Sequence, residues 1–432
     1  MLGTCELPGT AHDGGPDGPV DAPIDAVPLD ANPTCSCSGD TLTCGDQSDV
    51  DCPQGCNADP HEPRCNQIAP SNGLVYTPAT TVNTDITVLE SVFVNTDTGE
   101  IDGTLFHRDP GEGEKNGIIF STKEYMGAPL GVFWLRSLSV KNTITVGGDR
   151  ALVVITSGPI TIESNGKFDV SAGCDDMNAC PGPGGGVGAY DNNAATGCAP
   201  GTDGTTTNAF DSGGGGGGGG GDGAKGGDGN AATNGGSGGM KCMSTVLEPL
   251  TGGSGGGRGG ITTNMLPPNQ AGGGGGGIQL TSNTNITIRG TIDASGEGGS
   301  GGVNDTSLLG GGNGGGAGGG ILLEAPSVTT FSTARLGANG GGGGAGGQTT
   351  QMDGSKGRLD GTAAPGGSGS LVSQTGAGGA GGTAAVGAVA GTNITNAGAG
   401  GGAVGVIVVR AQMRSLQGII SPAATTAGYR AH

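Results

Sequence analysis

Short aliphatic runs that alternate with polar residues every second position are separated along this chain by tracts of nearly pure glycine. Four segments share one layout, in which a short apolar strand, a polar corner and one or two further strands follow one another. They are residues 151–173, 276–296, 319–340 and 406–423. Repeated inward aliphatic residues are typical of stacked rungs that share one thin core. The pattern therefore predicts an all-β fold with a parallel β-solenoid, or β-helix, spine.

The spacing of the aliphatic residues predicts which positions stack. Val153 precedes Phe168 by 15 residues, and Ile278 precedes Ile321 by 43. Ile407 follows Ile321 by 86 residues, which is twice that interval. We expect Ile278, Ile321 and Ile407 to lie in one continuous core, with Val153 at the corresponding position of the first segment.

Residues 67–150 also alternate with a period of two, in the stretches TVNTDITVLESVFVNTDTGEI and SLSVKNTITV. Such alternation is typical of half-buried strands. We interpret residues 67–150 as a β-rich region that caps the repeats, and residues 151–432 as the glycine-rich solenoid.

The glycine tracts 174–275, 297–318 and 341–405 connect the strand segments and vary in length, so we interpret them as arms of the spine. Glycine-rich segments usually behave as flexible coils, and Gly213–Gly221 contains no side-chain information. The ordered alternative is a bundle of extended polyglycine II helices, because glycine lets backbones approach as closely as in collagen. The apolar stretch 240–250 favours order, since it can anchor the first arm.

Glycine fills 102 of the 432 positions, whereas only one Trp, four Tyr and seven Phe are present. A core of large aromatic side chains is hard to build from this composition. Any core must therefore be narrow and consist of Val, Ile and Leu. Glycine has no strict three-residue period along the chain, which excludes a simple collagen.

The net charge of −20 is concentrated at the start of the chain, where residues 1–65 carry twelve carboxylates and the single base Arg64. A nucleic-acid partner is not expected from this charge. Residues 1–34 are rich in Pro, Asp and Ala, which predicts an extended spacer. Leu2-Gly3-Thr4-Cys5 resembles a bacterial lipobox, so Cys5 is the predicted lipidation site and the one link to a membrane. The alternative for Cys5 is an odd free cysteine in a tail.

Six of the eleven cysteines fall between Cys35 and Cys65. So short a segment with few apolar residues needs disulfides, which predicts a disulfide module over 35–66 and an oxidising compartment. A zinc site is the weaker alternative, because the spacings lack paired C-x2-C motifs. Without Cys5, ten candidates for complete pairing remain: Cys35, Cys37, Cys44, Cys52, Cys56, Cys65, Cys174, Cys180, Cys198 and Cys242.

No catalytic, metal or cofactor site is predicted. G-x-S-x-G patterns arise by chance in glycine tracts, and no histidine lies between His107 and His432 to act as a base. Asp222 and Asp228 match a calcium-binding roll only faintly, because the hydrophobic position of that repeat is missing. We interpret the polar cluster 107–109 as a surface loop.

A polysaccharide-active β-helix enzyme, either a lyase or a hydrolase, is the main alternative function. Such enzymes need clustered carboxylates or a basic side chain in a groove. The candidate residues are Glu163, Asp169, Arg289, Asp293, Glu324 and Arg335. Glu163, Arg289 and Glu324 are expected to lie near one another if the rungs align. Aromatic platforms typical of sugar clefts are missing, since the single Trp134 precedes the repeats. An ice- or surface-binding protein is a further alternative.

The layout resembles that of glycine-rich secreted proteins and surface lipoproteins of myxobacteria and their relatives. The acidic DAPIDA spacer, the CSCSGDTLTCGDQSDVDCPQGC module, the step Pro70-Ser71-Asn72-Gly73 and the stretches GGILLEAP and LGANGGGGGAGG carry the resemblance. A likeness to PE-PGRS proteins is compositional only, and the arms look similar to the polyglycine sandwich of some phage tail adhesins. The resemblance implies a cell-surface or secreted protein. We therefore expect a non-enzymatic structural or adhesive protein with envelope or matrix partners, polysaccharide among them.

Overall fold

The computed structural model describes residues 35–38, 41–44, 50–51, 56–57, 64–65, 68–173, 179–191, 193–207, 210–223, 235–260, 270–302, 304–305, 308–347, 352–369, 375–383, 388–393 and 396–428. The predicted spacer with Cys5 lies outside these ranges, as do Cys52, Cys174 and Asp228.

The described secondary structure is almost entirely β, as predicted. The cysteine-rich region contains β1 (Cys35–Ser38), β2 (Thr41–Cys44), β3 (Val50–Asp51), β4 (Cys56–Asn57) and β5 (Arg64–Cys65). The next region contains α1 (Thr77–Thr81), β6 (Asp85–Val88), β7 (Val92–Asn95), β8 (Ile101–Asp102), β9 (Gly113–Lys115), β10 (Ile118–Tyr125), β11 (Ala128–Leu135), β12 (Ser137–Val140) and β13 (Thr143–Gly147).

The glycine-rich region contains the remaining strands. They are β14 (Ala151–Thr156), β15 (Ile160–Ile162), β16 (Lys167–Asp169), β17 (Thr206–Thr207), β18 (Phe210–Asp211), β19 (Gly277–Ser282), β20 (Asn285–Ile288), β21 (Thr291–Asp293), β22 (Asn304–Asp305), β23 (Leu308–Leu309), β24 (Gly320–Glu324), β25 (Ser327–Thr330), β26 (Arg335–Gly337), β27 (Val406–Arg410), β28 (Met413–Leu416), β29 (Ile419–Ser421) and β30 (Thr425–Ala427).

Three long sheets contain most of these strands. Sheet 1 has the order β30-β27-β24-β19-β14-β11-β10-β9, sheet 2 the order β28-β25-β20-β15-β12-β6, and sheet 3 the order β29-β26-β21-β16-β13-β7-β8. Each repeat contributes one strand to each sheet in turn, and these strands pair in parallel with those of the next repeat. Antiparallel pairing occurs at one end, where β10 pairs with β9 and β11, and β7 pairs with β8.

One core runs through the inside of the three sheets. Ile278 pairs with Ile321 and Ile321 with Ile407, and all three belong to the same buried cluster, as predicted. The predicted position of Val153 is wrong by one residue, because Leu152 is the register partner of Ile278. Val153 points to the opposite face of sheet 1 and is buried there too. All six residues of β14 are buried, so alternation could not reveal which of them faces inward.

A second buried cluster covers the outer face of sheet 1. Trp134 and Leu322 lie on that face and pack with Met243, Leu247 and Leu250 of the first arm. The apolar stretch 240–250 therefore anchors the arm to the sheet, as its composition predicts. Residues before the first long strands, including Tyr76, join the same cluster.

The described glycine tracts are bonded to one another by a hydrogen-bond pattern with a period of three residues. Within 311–319, the N–H groups of residues 311, 314 and 317 donate to tract 254–260, those of 312, 315 and 318 to tract 397–403, and those of 313, 316 and 319 to tract 294–300. Carbonyls of the same stretch accept from tracts 214–217, 272–275 and 341–347. Tract 311–319 is thus surrounded by six neighbouring tracts.

Close approach of the backbones explains why these tracts are glycine. A Cβ atom placed on Gly316 would lie 1.9 Å from the carbonyl oxygen of Gly273, and one on Gly319 would lie 1.9 Å from that of Gly276. Gly316 and Gly273 are both buried. The glycine tracts, which usually behave as flexible coils, therefore pack backbone against backbone in this structure.

The last strand of sheet 2 carries an arginine where the preceding strands carry core residues. The inward positions before it in register are Ile86, Leu138, Ile160, Ile286 and Val328, all buried. Arg414 is the next partner in this row and is exposed. Its Nη1 donates to the carbonyl oxygen of Ala427 at 2.8 Å. Among the described strands β28 pairs on one side only, so a charge here covers the end of the core beside a free strand edge.

Replacing Arg414 with valine is expected to cause self-association through this end of the molecule, because the apolar row would then continue to an unpaired edge. Analytical ultracentrifugation should find sedimentation coefficients that rise with concentration more steeply than for the wild type. Arg335→Val is the matched control, since it removes the same charge from an exposed position of β26. Identical sedimentation of the two variants would contradict a capping role for Arg414.

Candidate functional site

The carboxylates and bases predicted from the repeats fall into three separate places. Glu163 and Arg289 form an ion pair of 3.8 Å, and both side chains are more than one-third exposed. Arg289 also lies over the ring of Phe331, 4.2 Å from its centroid. Glu324 does not join this pair, since it ends a strand of sheet 1 whereas the pair follows strands of sheet 2. The expectation that all three lie together is wrong, because the corners of a repeat face different directions. Arg335 is exposed on sheet 3 beside Thr291.

Glu324 belongs to a buried polar network on the outer face of sheet 1. The network consists of Ser71, Asn72, Glu248, Gln279, Thr281, Glu324 and Arg410. Only 2% of Glu324 is exposed, and its carboxylate accepts hydrogen bonds from the N–H and hydroxyl of Ser71, from Gln279 and from Thr281. Burial raises the pKa of Glu324 above its usual value, although the hydrogen bonds from Ser71 lower it in part.

Arg410 supplies the positive charge of this network. Its Nη1 lies 2.5 Å from Glu248 Oε1 and 3.4 Å from Glu324 Oε1, and its Nη2 donates to the carbonyl oxygen of Val246 at 3.1 Å. Asn72 adds a second link, since its Oδ1 accepts from the N–H of Leu250 at 2.9 Å. The network therefore ties the Pro70-Ser71-Asn72-Gly73 step and the first arm to sheet 1, which is a structural role.

The polar cluster 107–109 is not simply a surface loop. Arg108 is fully buried, and its guanidinium donates to the carbonyl oxygens of Gly99 and Gly113, each at 2.7 Å. Burial lowers the pKa of Arg108, and the charge of Asp109 counteracts this. His107 and Asp109 remain exposed and contact each other at 3.0 Å. Arg108 thus holds the turns that close one end of the core. The sequence could not predict its burial, because Arg108 stands between two other polar residues.

A ladder of carboxylates and one lysine lies on the outward face of sheet 3. Asp169 and Asp293 are register partners in β16 and β21, and Lys167 Nζ lies 2.8 Å from Asp169 Oδ2 and 3.3 Å from Asp293 Oδ2. Burial alone would raise the pKa of Asp169, but hydrogen bonds from Lys167 and Ser171 lower it below its usual value. Burial would lower the pKa of Lys167, but the charge of Asp293 and the hydrogen bond to Asp169 raise it.

A second lysine and carboxylate lie beside this ladder. Lys356 Nζ is 3.7 Å from Glu297 Oε2 and donates to the carbonyl oxygen of Ala172 at 2.6 Å. Burial raises the pKa of Glu297, and the charge of Lys356 offsets this only in part. Asp169 and Glu297 thus have pKa values shifted in opposite directions. Only Asp169 and Asp293 of this group were expected from the sequence, because Glu297 and Lys356 lie in the arms and have no repeat partner.

A groove of about 470 Å³ adjoins the ladder on the outward face of sheet 3. Its floor is formed by Phe93, Thr145 and Asp169, which are register partners on three successive strands. Its rim includes Asp149 on one side and the arm residues Gly173, Cys180, Pro181 and Lys356 on the other. Cys180 is disulfide-bonded, so this rim is covalently braced.

Phe93 is the functional candidate that sequence reasoning missed. It is 43% exposed, although it lies in a strand whose inward neighbours Val92 and Val94 are buried. A Cβ on Gly147 would come within 2.9 Å of the Phe93 ring, so the absence of a side chain at 147 makes room for the ring. An aromatic residue at an outward position of a strand with period-two alternation was the available signal.

Two complete disulfides are present among the described residues. Cys37 pairs with Cys56 in the cysteine-rich region, and Cys198 pairs with Cys242 in the first arm. Backbone pairing places Cys35 opposite Cys44 and Cys56 opposite Cys65. These two disulfides agree with the predicted use of cysteine as a brace for segments that lack large side chains.

Asp222 accepts a hydrogen bond from the N–H of Lys241 at 2.6 Å. Across the described ranges, no three His, Cys, Asp or Glu side chains are grouped so that they could hold a metal ion.

No helix within the part of the chain that the structure describes is long and apolar enough to cross a bilayer.

Comparison of the chain with protein-family models, with curated proteins and with solved structures gave no match.

Proposed function

We propose that the three sheets are the faces of a parallel β-solenoid, and that the glycine arms form a polyglycine II bundle at its side. Support comes from the strands of successive repeats, which occupy the same three sheets in the same order. The hydrogen bonds of tract 311–319 repeat every three residues, and an extended helix with three residues per turn has that period.

The function that this architecture supports best is that of a non-enzymatic structural or adhesive protein at the cell surface or outside the cell. The bonding of tract 311–319 to six neighbouring tracts is the observation that carries the proposal. Such a bundle is stiff because its hydrogen bonds link segments that are far apart in sequence. It can hold a large surface in a fixed orientation with very few bulky side chains. A rigid surface of this kind suits a matrix protein or an adhesin.

The proposed attachment of this body to the cell rests on the sequence. A lipid on Cys5 would anchor the chain, the acidic spacer over 6–34 would hold the folded part away from the membrane, and the disulfide module would join the two. The partners would be components of the envelope or of the extracellular matrix, polysaccharide among them. No nucleic acid and no cofactor enters this proposal.

Beads coated with the folded protein are expected to stay attached, in a flow cell, to a surface of purified bacterial matrix polysaccharide. Beads coated with heat-unfolded protein serve as the control and should wash away, because they lack the fixed surface. The polysaccharide should remain intact, as measured by the release of reducing ends. Equal loss of both kinds of bead under flow would contradict an adhesive function.

A polysaccharide-active enzyme remains the second candidate, and one observation favours it. Asp169 and Glu297 lie beside the groove with pKa values shifted in opposite directions, an arrangement that allows one carboxyl group to stay ionised while another holds a proton. Steady release of reducing ends by the wild type, lost in Asp169→Asn, would favour this candidate over adhesion.

A further inference from the structure

We propose that the groove on sheet 3 is a binding site for an uncharged polysaccharide chain, with Phe93 as the platform for one sugar ring. The inference rests on the proposed adhesive function and names the surface and the ligand class that would serve it. The groove volume of about 470 Å³ lies within the usual range for small-ligand sites, which is roughly 300–1,000 Å³.

The first argument concerns the aromatic ring. Sugars have one face of C–H groups, and this face packs well on a flat aromatic surface that is otherwise costly to leave in water. Phe93 presents such a surface at the floor of an open groove, and it is 43% exposed. The other large side chains of β7, Val92 and Val94, face the core. Phe93 therefore lies outside the core, and its exposed ring is accessible to a ligand.

The second argument concerns the polar groups beside the ring. Thr145 occupies the strand next to Phe93, and Asp169 the strand after that. Asp169 is held in place by Lys167 at 2.8 Å and by the hydroxyl of Ser171. A carboxylate fixed in this way accepts hydrogen bonds from sugar hydroxyls without a further loss of side-chain freedom. An aromatic platform with a fixed acceptor at one side is the chemistry that a neutral sugar requires.

The third argument concerns charge and disfavours acidic polysaccharides. Lys356 is the one lysine or arginine among the described lining residues, and it already pairs with Glu297. Asp149 and Asp169 add two carboxylates to the lining. Carboxylates therefore outnumber basic side chains in the described lining, which disfavours anionic polymers. An uncharged chain is therefore favoured over one that carries uronic acids or sulfate.

Isothermal titration calorimetry of the full chain tests the site. The neutral probes are cellohexaose, laminarihexaose and maltohexaose, and an alginate hexamer is the anionic probe. At least one neutral hexamer is expected to bind, and the alginate hexamer at least about tenfold more weakly. Phe93→Leu keeps the apolar volume but removes the flat ring, and it should lower the affinity at least about tenfold.

Phe331→Leu is the matched control, because Phe331 is also an exposed ring, at 37%, but follows a strand of sheet 2. It should bind as the wild type does, and both variants should melt at the wild-type temperature. Absence of binding by every neutral hexamer, or equal binding by Phe93→Leu, overturns the site.

The flow-cell assay separates the two proposals. Beads with Phe93→Leu that hold as firmly as the wild type would overturn the groove as the adhesive surface and leave adhesion standing. Wild-type beads that wash away while calorimetry detects binding dependent on Phe93 would leave the groove standing and overturn adhesion.

Discussion

Gly316→Ala is expected to destabilise the protein by about 3 kcal/mol, although the change adds only one methyl group. The new Cβ would lie 1.9 Å from the carbonyl oxygen of Gly273, far inside van der Waals contact. Neither backbone can retreat, because Gly316 donates to Glu297 at 2.9 Å and Gly274 donates to Gly186 at 2.8 Å. Urea unfolding followed by circular dichroism measures the loss of unfolding free energy.

The expected effect of Gly316→Ala on the free energy of unfolding is opposite to the usual effect of a glycine-to-alanine change. Glycine-to-alanine changes at compatible positions stabilise a protein, because they restrict the unfolded chain. Gly428→Ala is the matched control, since a Cβ there meets nothing within 4 Å. It should change the free energy of unfolding by less than about 0.5 kcal/mol. Similar effects of the two changes would show that the tract around Gly316 is not enclosed as described.

Arg410→Met is expected to cost about 3–5 kcal/mol of unfolding free energy at neutral pH, because it leaves the buried Glu324 and the partly buried Glu248 without their cation. Methionine retains most of the length of the side chain, so the loss would come from charge more than from a cavity. Chemical unfolding at pH 7 measures it. Arg289→Met is the control, since the pair with Glu163 is exposed and such pairs contribute about 0–1 kcal/mol.

The loss of unfolding free energy in Arg410→Met is expected to depend on pH. Burial raises the pKa of Glu324 in the folded state above 4.5, its usual value. A raised folded-state pKa stabilises the protein below the unfolded-state pKa, and this contribution is lost as the pH rises through the folded-state value. The charge of Arg410 lowers this pKa in part, so loss of Arg410 raises the folded-state pKa of Glu324 further. The variant should therefore lie closest to the wild type at pH 4.5 and below, where the carboxyl group is protonated with or without Arg410, and furthest from it at pH 7. A deficit that does not change with pH would indicate lost packing in place of a buried charge.

The shared core of the three sheets could be predicted because its signal repeats along the chain. Ile278, Ile321 and Ile407 stand at the same place in three segments, and each is fully buried against the next. The first segment was misaligned at Val153 because β14 is covered on both faces, so its two rows of side chains are equally apolar.

The hairpin of β10 and β11 was not predicted, although Met126 and Gly127 form its turn with positive φ angles of 50° and 83°. Its second strand, β11, pairs in parallel with β14 of the first repeat, but β10 pairs only with β9 and β11. The spacing of the repeats therefore gives no signal for β10.

The residues of the candidate site were harder to predict than the shared core, because arms from distant parts of the sequence complete the site. Repeat alignment locates residues along a sheet, but it cannot say which corner of a rung an arm returns to cover. Glu324 is buried because the stretches around Ser71 and Glu248 lie over it. Lys356 reaches Glu297 from another arm. Both contacts join residues whose spacing in the sequence carries no pattern.

The period of three in the glycine bundle sets a rule for how such a chain can change in length during evolution. In the proposed extended helix with three residues per turn, a tract such as 311–319 keeps its six partners when it gains or loses a whole turn. A gain or loss of one or two residues rotates every later donor toward the wrong neighbour. Natural variation in the tracts should therefore come in triplets of residues, which corresponds to nine nucleotides in the gene.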